Sequence, residues 1–363
     1  MSKPILISGI QPSGRLHIGN YLGALKNFVD LQNSGQYECL YFIADYHSLT
    51  ETFDPKEKQA QILNTMEDYL AAGLDPKKSF LFQQSAVPQV TELMWILNTL
   101  TPMGELRRMT QFKEKSGEQK LSDIFTEYKK DKEYTTEELE KIVISGQVAR
   151  IIWEDSNAGL FTYPVLMAAD ILMYDAEKVP VGDDQLQHLE FARTLARKFN
   201  NRFGPTFIEP QPILTHTPRV MSLSDPKKKM SKTDPKGCLF LDDSPEEIRE
   251  KLLRAVTDTS SDIKFDEKEK PGISNILQIV SGVTGQSIPD LEDKFKTVGY
   301  EEFKKNSAEM IADSLTSFRE KKIEFMKKLD LVKEAFATGT KIALTRAEKK
   351  IETIKASVGL DKI

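Results

Sequence analysis

The stretch PILISGIQPSGRLHIGN, residues 4–20, decides the fold. Residues 4–8 form a short apolar run that reads as a buried strand, and Gly9 ends it. Gln11-Pro12-Ser13-Gly14 is turn chemistry. From residue 18 to 32, Leu22, Leu25, Phe28 and Val29 keep helical spacing. A strand that hands over to a helix through a glycine-bearing turn presents backbone N–H groups and a helix N-terminus to an anion.

The same alternation continues. Residues 39–44 (CLYFIA) read as a second strand, with Asp45, Tyr46 and His47 at its carboxyl end. Pro55 opens a helix to residue 72, and Gly73 suits its C-cap. Residues 79–84 are a third strand and 88–100 another helix. Residues 178–181 form a short strand that ends in Gly182-Asp183-Asp184-Gln185 and leads into a helix to about residue 200. Strands alternating with helices of this length predict βαβ units and a doubly wound α/β fold with a parallel sheet. Ligands of such sheets bind outside the carboxyl ends of the strands.

Residues 208–223 read as irregular and Pro-rich, leading into a lysine-rich loop at 227–236. After residue 243 the texture changes. Ser244-Pro245-Glu246-Glu247 is a helix start, with a capping Ser and Pro at the first position. The rest of the chain is mostly amphipathic helix. The expected division is a catalytic domain at 1–243 and a helical domain at 244–363, the last helix packing back on the first domain. A densely charged insertion at about 117–157 reads as a helical hairpin, either a surface element or an oligomer or RNA contact.

His17-Ile18-Gly19-Asn20 and Lys229-Met230-Ser231-Lys232-Thr233 are each weak signals alone. Together and in this order they make a two-part phosphate clamp. His17 and Asn20 can donate to phosphate oxygens beside a helix N-terminus. Cations and hydroxyls on the second segment can close over a triphosphate, with contacts that strengthen as charge develops at phosphorus.

Composition limits the alternatives. The chain has 363 residues, enough for two domains, with 39% hydrophobic and 29% charged residues and a formal net charge of −5. That balance argues against broad non-specific binding of nucleic acid, though not against a local basic grip on one RNA. No apolar run approaches a membrane span, and the first residues lack a signal-peptide pattern. Two cysteines and four histidines offer neither a disulfide framework nor a zinc pattern, which suits a cytoplasmic protein.

The paired segments resemble the two signatures of the class I aminoacyl-tRNA synthetases. SGIQPSG at 8–14, MTQFKEKS at 109–116, TYPVLMAADIL at 162–172, VPVGDDQLQHLE at 179–190 and KPGISNIL at 270–277 are similar to the bacterial-type tryptophanyl-tRNA synthetases. The likeness runs from residue 4 to about 300, the insertion excepted. It implies a Rossmann-like, HUP-type sheet, a helical domain that reads the anticodon, and a homodimer. The substrates would be ATP with its Mg2+, L-tryptophan and tRNA(Trp), with no protein-bound metal.

Residue roles come from the same resemblance. His17, Lys115, Lys229 and Lys232 would be catalytic, with Lys113 the alternative to Lys115. Gln11, Pro12, Ser13, Gly19, Asn20, Gly182, Asp183, Asp184, Met221, Lys229, Met230, Ser231 and Lys232 would line the ATP site. Tryptophan would lie among Ile7, Gln11, His47, Tyr163, Met167, Asp170, Val179, Val181 and Gln185. The chemistry agrees: Asp170 and Met167 are three apart on one helix face, and a carboxylate can accept from the donor-only indole N–H. Ile7 stands where the family often has an aromatic residue, and Thr233 stands where it has Ser. The rival interpretations are a tyrosyl enzyme, a non-catalytic relative that binds tryptophan or RNA, and a nucleotidyltransferase acting without RNA.

Overall fold

The computed structural model describes residues 3–110, 112, 157–214, 219–260 and 262–360. The insertion lies almost wholly outside the described residues, as do Lys113 and Lys115. Five strands form one parallel sheet: β1 (Ile5–Ile10), β2 (Glu38–Ile43), β3 (Ser79–Gln83), β4 (Lys178–Val181) and β5 (Gln211–Leu214). Their order is β3-β2-β1-β4-β5. The chain moves outward from β1 through β2 to β3, then returns to the other side of β1. That reversal leaves a crevice between the carboxyl ends of β1 and β4.

The first helix, α1, is not the single regular run expected from periodicity. It comprises a short turn at Ile18–Asn20, a π-helical turn at Tyr21–Leu25 and a regular stretch at Lys26–Ser34. Helix α2 (Pro55–Ala72) has the expected punctuation. The Asp54 side chain accepts from Lys56 N–H, and Gly73, at φ +111°, closes the other end. Helices α3 (Gln89–Asn98), α4 (Met103–Arg107) and α5 (Ala158–Leu172) precede β4, and α6 (Leu186–Phe203) comes after it. Strand β5 corrects the expectation of irregular chain at 208–223. Pro212 has no N–H to give the ladder, but it sits on an edge strand, where proline is tolerated.

Past residue 243 the described chain is helical: α7 (Pro245–Arg254), α8 (Pro271–Thr284), α9 (Ile288–Phe295), α10 (Tyr300–Ser314), α11 (Thr316–Lys327) and α12 (Leu329–Ser357). Ser244 and Glu247 form the expected capping box of α7. The core does not break at residue 243. Leu6, Tyr41 and Ile43 on one face of the sheet share a cluster with α1, α2 and the helices from α7 to α11. Ile7, Leu40, Phe42 and Phe82 on the other face pack with α3, α5 and α6.

Helix α12 joins both layers. Val332 and Phe336 belong to the first cluster, and Ala343, Ala347, Ile351 and Ile354 to the second. Between them the helix passes the edge strand β3, and a Cβ on Gly339 would stand 2.0 Å from the Leu81 carbonyl oxygen. A covered edge cannot pair with another chain, so the close approach protects the sheet as well as packing it. Gly339→Ala is expected to cost about 2 kcal/mol or more, the scale of overpacking against backbone. A lower urea midpoint at unchanged m-value would show it.

Candidate active site

Strand β1 is held slightly open at its carboxyl end. The parallel register directs Ile10 N–H toward Phe42 C=O. The Tyr69 hydroxyl stands between them, accepting from Ile10 N–H at 2.9 Å and donating to Phe42 C=O at 2.9 Å. Gly9 is needed here because a Cβ would meet the Phe42 ring at 2.8 Å. In the adjoining turn, Ser13 N–H bonds to Gln11 C=O at 3.0 Å. Residues 16–18 then run beside 239–241: Ile18 N–H donates to Leu239 C=O at 2.8 Å, and Leu241 N–H to Leu16 C=O at 3.0 Å. The start of α1 and the end of the lysine loop are thereby joined.

His17 caps α1. Its Nδ1 accepts from Gly19 N–H at 3.1 Å, and its own N–H donates to Asn20 Oδ1 at 3.1 Å. Because Nδ1 accepts, the ring proton of the neutral imidazole lies on Nε2, which leaves a donor for a ligand. Burial, with Lys232 and Lys229 adding to it, holds the imidazole down at about 4, so the neutral form dominates at physiological pH.

The lysine loop reaches the turn directly. Lys232 Nζ donates to Ser13 Oγ at 2.9 Å, Ser13 C=O at 3.2 Å and Gly14 C=O at 3.4 Å. Burial lowers this ammonium to about 8, against the pull of Asp68 and other acidic groups. Lys229 and Ser231 are exposed, while Met230 is buried and anchors the loop. Met230 N–H bonds Val220 C=O at 3.0 Å, and Ser222 N–H bonds Lys228 C=O at 2.8 Å. Asn275 on α8 clamps Met221, accepting from its N–H at 2.8 Å and donating to its C=O at 2.9 Å. The KPGISNIL stretch is thus a brace for the loop. A Cβ on its Gly272 would lie 2.1 Å from Val256 C=O.

A second group of candidate residues lies on the β4 side of the crevice. Ile7, Val179 and Val181 are buried in the same cluster, with Met167 packed partly buried against it. Its polar end is Asp170, 3% exposed. His47 Nε2 lies 2.8 Å from Asp170 Oδ2, and the Gln84 amide nitrogen donates to both carboxylate oxygens at 2.8 Å. Gln84 is oriented by Tyr46 N–H, which donates to its Oε1 at 3.0 Å. Burial pushes the Asp170 carboxyl up, and His47 and Gln84 oppose that push. A carboxylate has about four acceptor positions, so one on Oδ1 stays open to a further N–H.

The Tyr163 hydroxyl lies 2.6 Å from His188 Nε2. Gln185 N–H bonds Gly182 C=O at 3.0 Å, and the Gln185 amide donates to Asp184 at 3.1 Å. The structure therefore brings His17, Asn20, Ser13 and Lys232 together on one side and His47 and Asp170 together on the other. Gln84, His188, Asn275 and Tyr69 went unassigned in the sequence. A buried polar residue next to a motif was the available signal for His188 and Asn275. Among the described residues no group of three or more His, Cys, Asp or Glu could hold a metal ion, and no helix is long and apolar enough to cross a membrane.

Residues 1–316 match the family of tRNA synthetases class I (W and Y). A tryptophan–tRNA ligase of Caldanaerobacter subterraneus is 43% identical over 360 residues, 98% of each protein. The chain belongs to the bacterial-type tryptophanyl-tRNA synthetases of class I. The structure of the family member from Mycoplasma pneumoniae superposes with a TM-score of 0.80 at 31% identity, covering 98% of both chains. That of Campylobacter jejuni, complexed with ADP and tryptophan, gives 0.74 at 33% identity over 98% of this chain and 99% of its own.

Gln84→Leu keeps the volume and removes the amide that orients Asp170 and satisfies Tyr46 N–H. A loss of ~2 kcal/mol is expected, since the buried Asp170 loses the amide that donates to both its oxygens. A lower chemical-denaturation midpoint than that of the unsubstituted protein measures it.

Proposed function

We propose that the protein activates L-tryptophan with ATP and transfers the tryptophanyl group to tRNA(Trp). The observation that carries the nucleotide half is the Lys232 ammonium bonded to the 13–14 turn beside the capping His17. ATP lies along the turn and the start of α1, against Gln11, Pro12, Ser13, Gly19 and Asn20. Gly182 to Asp184 hold the ribose side, Met221 meets the adenine, and residues 229–232 cover the phosphates. Tryptophan enters the apolar pocket and gives its indole N–H to the open acceptor position on Asp170. Tyr163, His47 and Gln185 face its amino-acid end, and Gln11 holds its carboxylate near the α-phosphate.

The carboxylate attacks the α-phosphorus in line. The bond to the bridging oxygen breaks, and pyrophosphate leaves with the Mg2+ that ATP brought in. The terminal ribose hydroxyl of the tRNA then attacks the acyl carbon, and AMP departs. Little covalent chemistry falls to the protein. Its part is to position the carboxylate and to stabilise charge at the phosphates. His17, Lys229 and Lys232 do this from the described residues, and Lys115 (or Lys113) completes the set from the 109–116 motif.

The helical portion past residue 243 is assigned to anticodon recognition, where unstacked bases can be bonded and stacked on side chains. Two copies of the chain pair symmetrically. Trp95 on α3, 72% exposed, and Met103 at the start of α4, 65% exposed, support an apolar contact face there. The cytoplasm is the compartment that this translation role requires.

Two measurements test the assignment. In ATP–pyrophosphate exchange, Asp170→Ala should weaken the preference for tryptophan over tyrosine more than it weakens ATP use, because the indole N–H is then left unpaired. An unchanged preference would refute the pocket. The second is a pH profile. Lys232 loses its proton as pH rises through about 8 in the free enzyme, so kcat/KM for ATP should fall there. Lys232→Arg should remove that inflection, since a guanidinium stays charged. His17 itself should add no inflection near the ordinary histidine value, because it titrates at about 4.

A further inference from the structure

One path of paired charge, buried at Lys322 and Asp68, runs from the C-terminal helices to the 13–14 turn. Lys322 on α11 is 4% exposed. Its ammonium lies 2.7 Å from Asp68 Oδ1 on α2 and donates to Asp242 Oδ2 at 2.9 Å. The other oxygen of Asp242 accepts from Arg15 Nε at 2.8 Å. Arg15 also reaches Asp243 at 2.9 Å, and its guanidinium stands 4.3 Å from the centre of the Phe240 ring. Arg15 directly follows Gly14, whose carbonyl accepts Lys232. Asp68 directly precedes Tyr69, whose hydroxyl separates Ile10 from Phe42.

Lys322 therefore grips the 10–14 segment from two sides. Through Asp242 and Arg15 it reaches the turn that receives Lys232. Through Asp68 it fixes the stretch of α2 that holds the end of β1. A buried ion pair is a poor device for stability alone, because apolar residues of similar volume usually serve as well. It does fix separations, since each carboxylate must stay within hydrogen-bonding reach of one ammonium.

We propose that Lys322 is a positioning residue for the triphosphate clamp, setting the 13–14 turn at the distance Lys232 needs. This rests on the clamp assignment of the proposed function. The full-length enzyme with Lys322→Met should lose between about tenfold and 100-fold in kcat for ATP–pyrophosphate exchange, the scale of a misplacement near 1 Å. KM for tryptophan should stay within about twofold, because the indole pocket is untouched. Lys350→Met is the stability control. Lys350 is likewise a largely buried lysine of the C-terminal helices, bonded to Asp175 at 2.5 Å and Thr206 C=O at 2.7 Å, but it lies away from the turn. It should lower the denaturation midpoint and leave kcat alone.

Lys322→Met strands Asp68, so a second variant, Asp68→Asn/Lys322→Gln, makes the pair neutral without leaving a lone buried charge. Loss of kcat in this variant with a wild-type midpoint supports the proposal. Wild-type kcat in it, or an equal loss of kcat in Lys350→Met, overturns it. Lys232→Ala separates the two assignments. If it exchanges normally, the clamp itself fails and the proposal falls with it. If it is impaired while the neutral pair exchanges normally, only the role of Lys322 is lost.

Discussion

The pairing of the 13–20 segment with the lysine loop depends on two backbone hydrogen bonds, from Ile18 N–H to Leu239 C=O and from Leu241 N–H to Leu16 C=O. They join segments far apart in the chain, and closing so long a loop has an entropic cost that must be met elsewhere. It is met by burial. Leu16, Ile18, Leu239 and Leu241 belong to one apolar cluster with α8 and α10. The helices past residue 243 therefore share one core with these two segments. Asn275 on α8 fixes Met221, and Lys322 on α11 fixes Asp242. Each half of the clamp is too short to fold alone, and each is given its shape by the helical portion.

The other half of the site depends on satisfaction of buried polar groups. Asp170 is nearly inaccessible and would be costly if unpartnered. His47 and Gln84 supply its donors, and Gln84 is in turn locked by Tyr46 N–H. Asn157 ties the start of α5 to the turn that carries His47, accepting from Leu160 N–H and donating to Thr50 C=O. A network closed in this way holds the carboxylate at one spot on an otherwise apolar wall.

Much of this was legible in the chain. The alternation of apolar runs and amphipathic helices, with Pro55 at a helix start and caps at Gly73 and Ser244, is local information, and local chemistry sets those elements. The pairing of the 13–20 and 229–232 segments was legible because both carry unusual residue types in a fixed order, and Lys232 does meet Ser13 and Gly14. What escaped depends on long-range partners. Gln84, Tyr69, Asn275 and Lys322 are ordinary residues until the fold places a carboxylate, a splayed strand or a free carbonyl beside them. Strand β5 escaped for a different reason. Prolines at 210 and 212 argue against a ladder, and only an edge position excuses them.

The cations of the molecule divide by the company they keep. Lys322, Arg15, Lys251 and Lys350 all rest on carboxylates, and those pairs are part of the frame. Lys232 rests instead on two carbonyls and a hydroxyl, which are dipoles without net charge. His17 sits beside it neutral, kept so by burial and by the two lysines. Burial is the main cause of the lowered proton affinity of both groups, and for His17 the two lysines add to it. Under the proposed function, a triphosphate reaching Lys232 would displace only these neutral partners. The frame thus holds its own charges tightly and leaves unpaired those that the substrate is to meet.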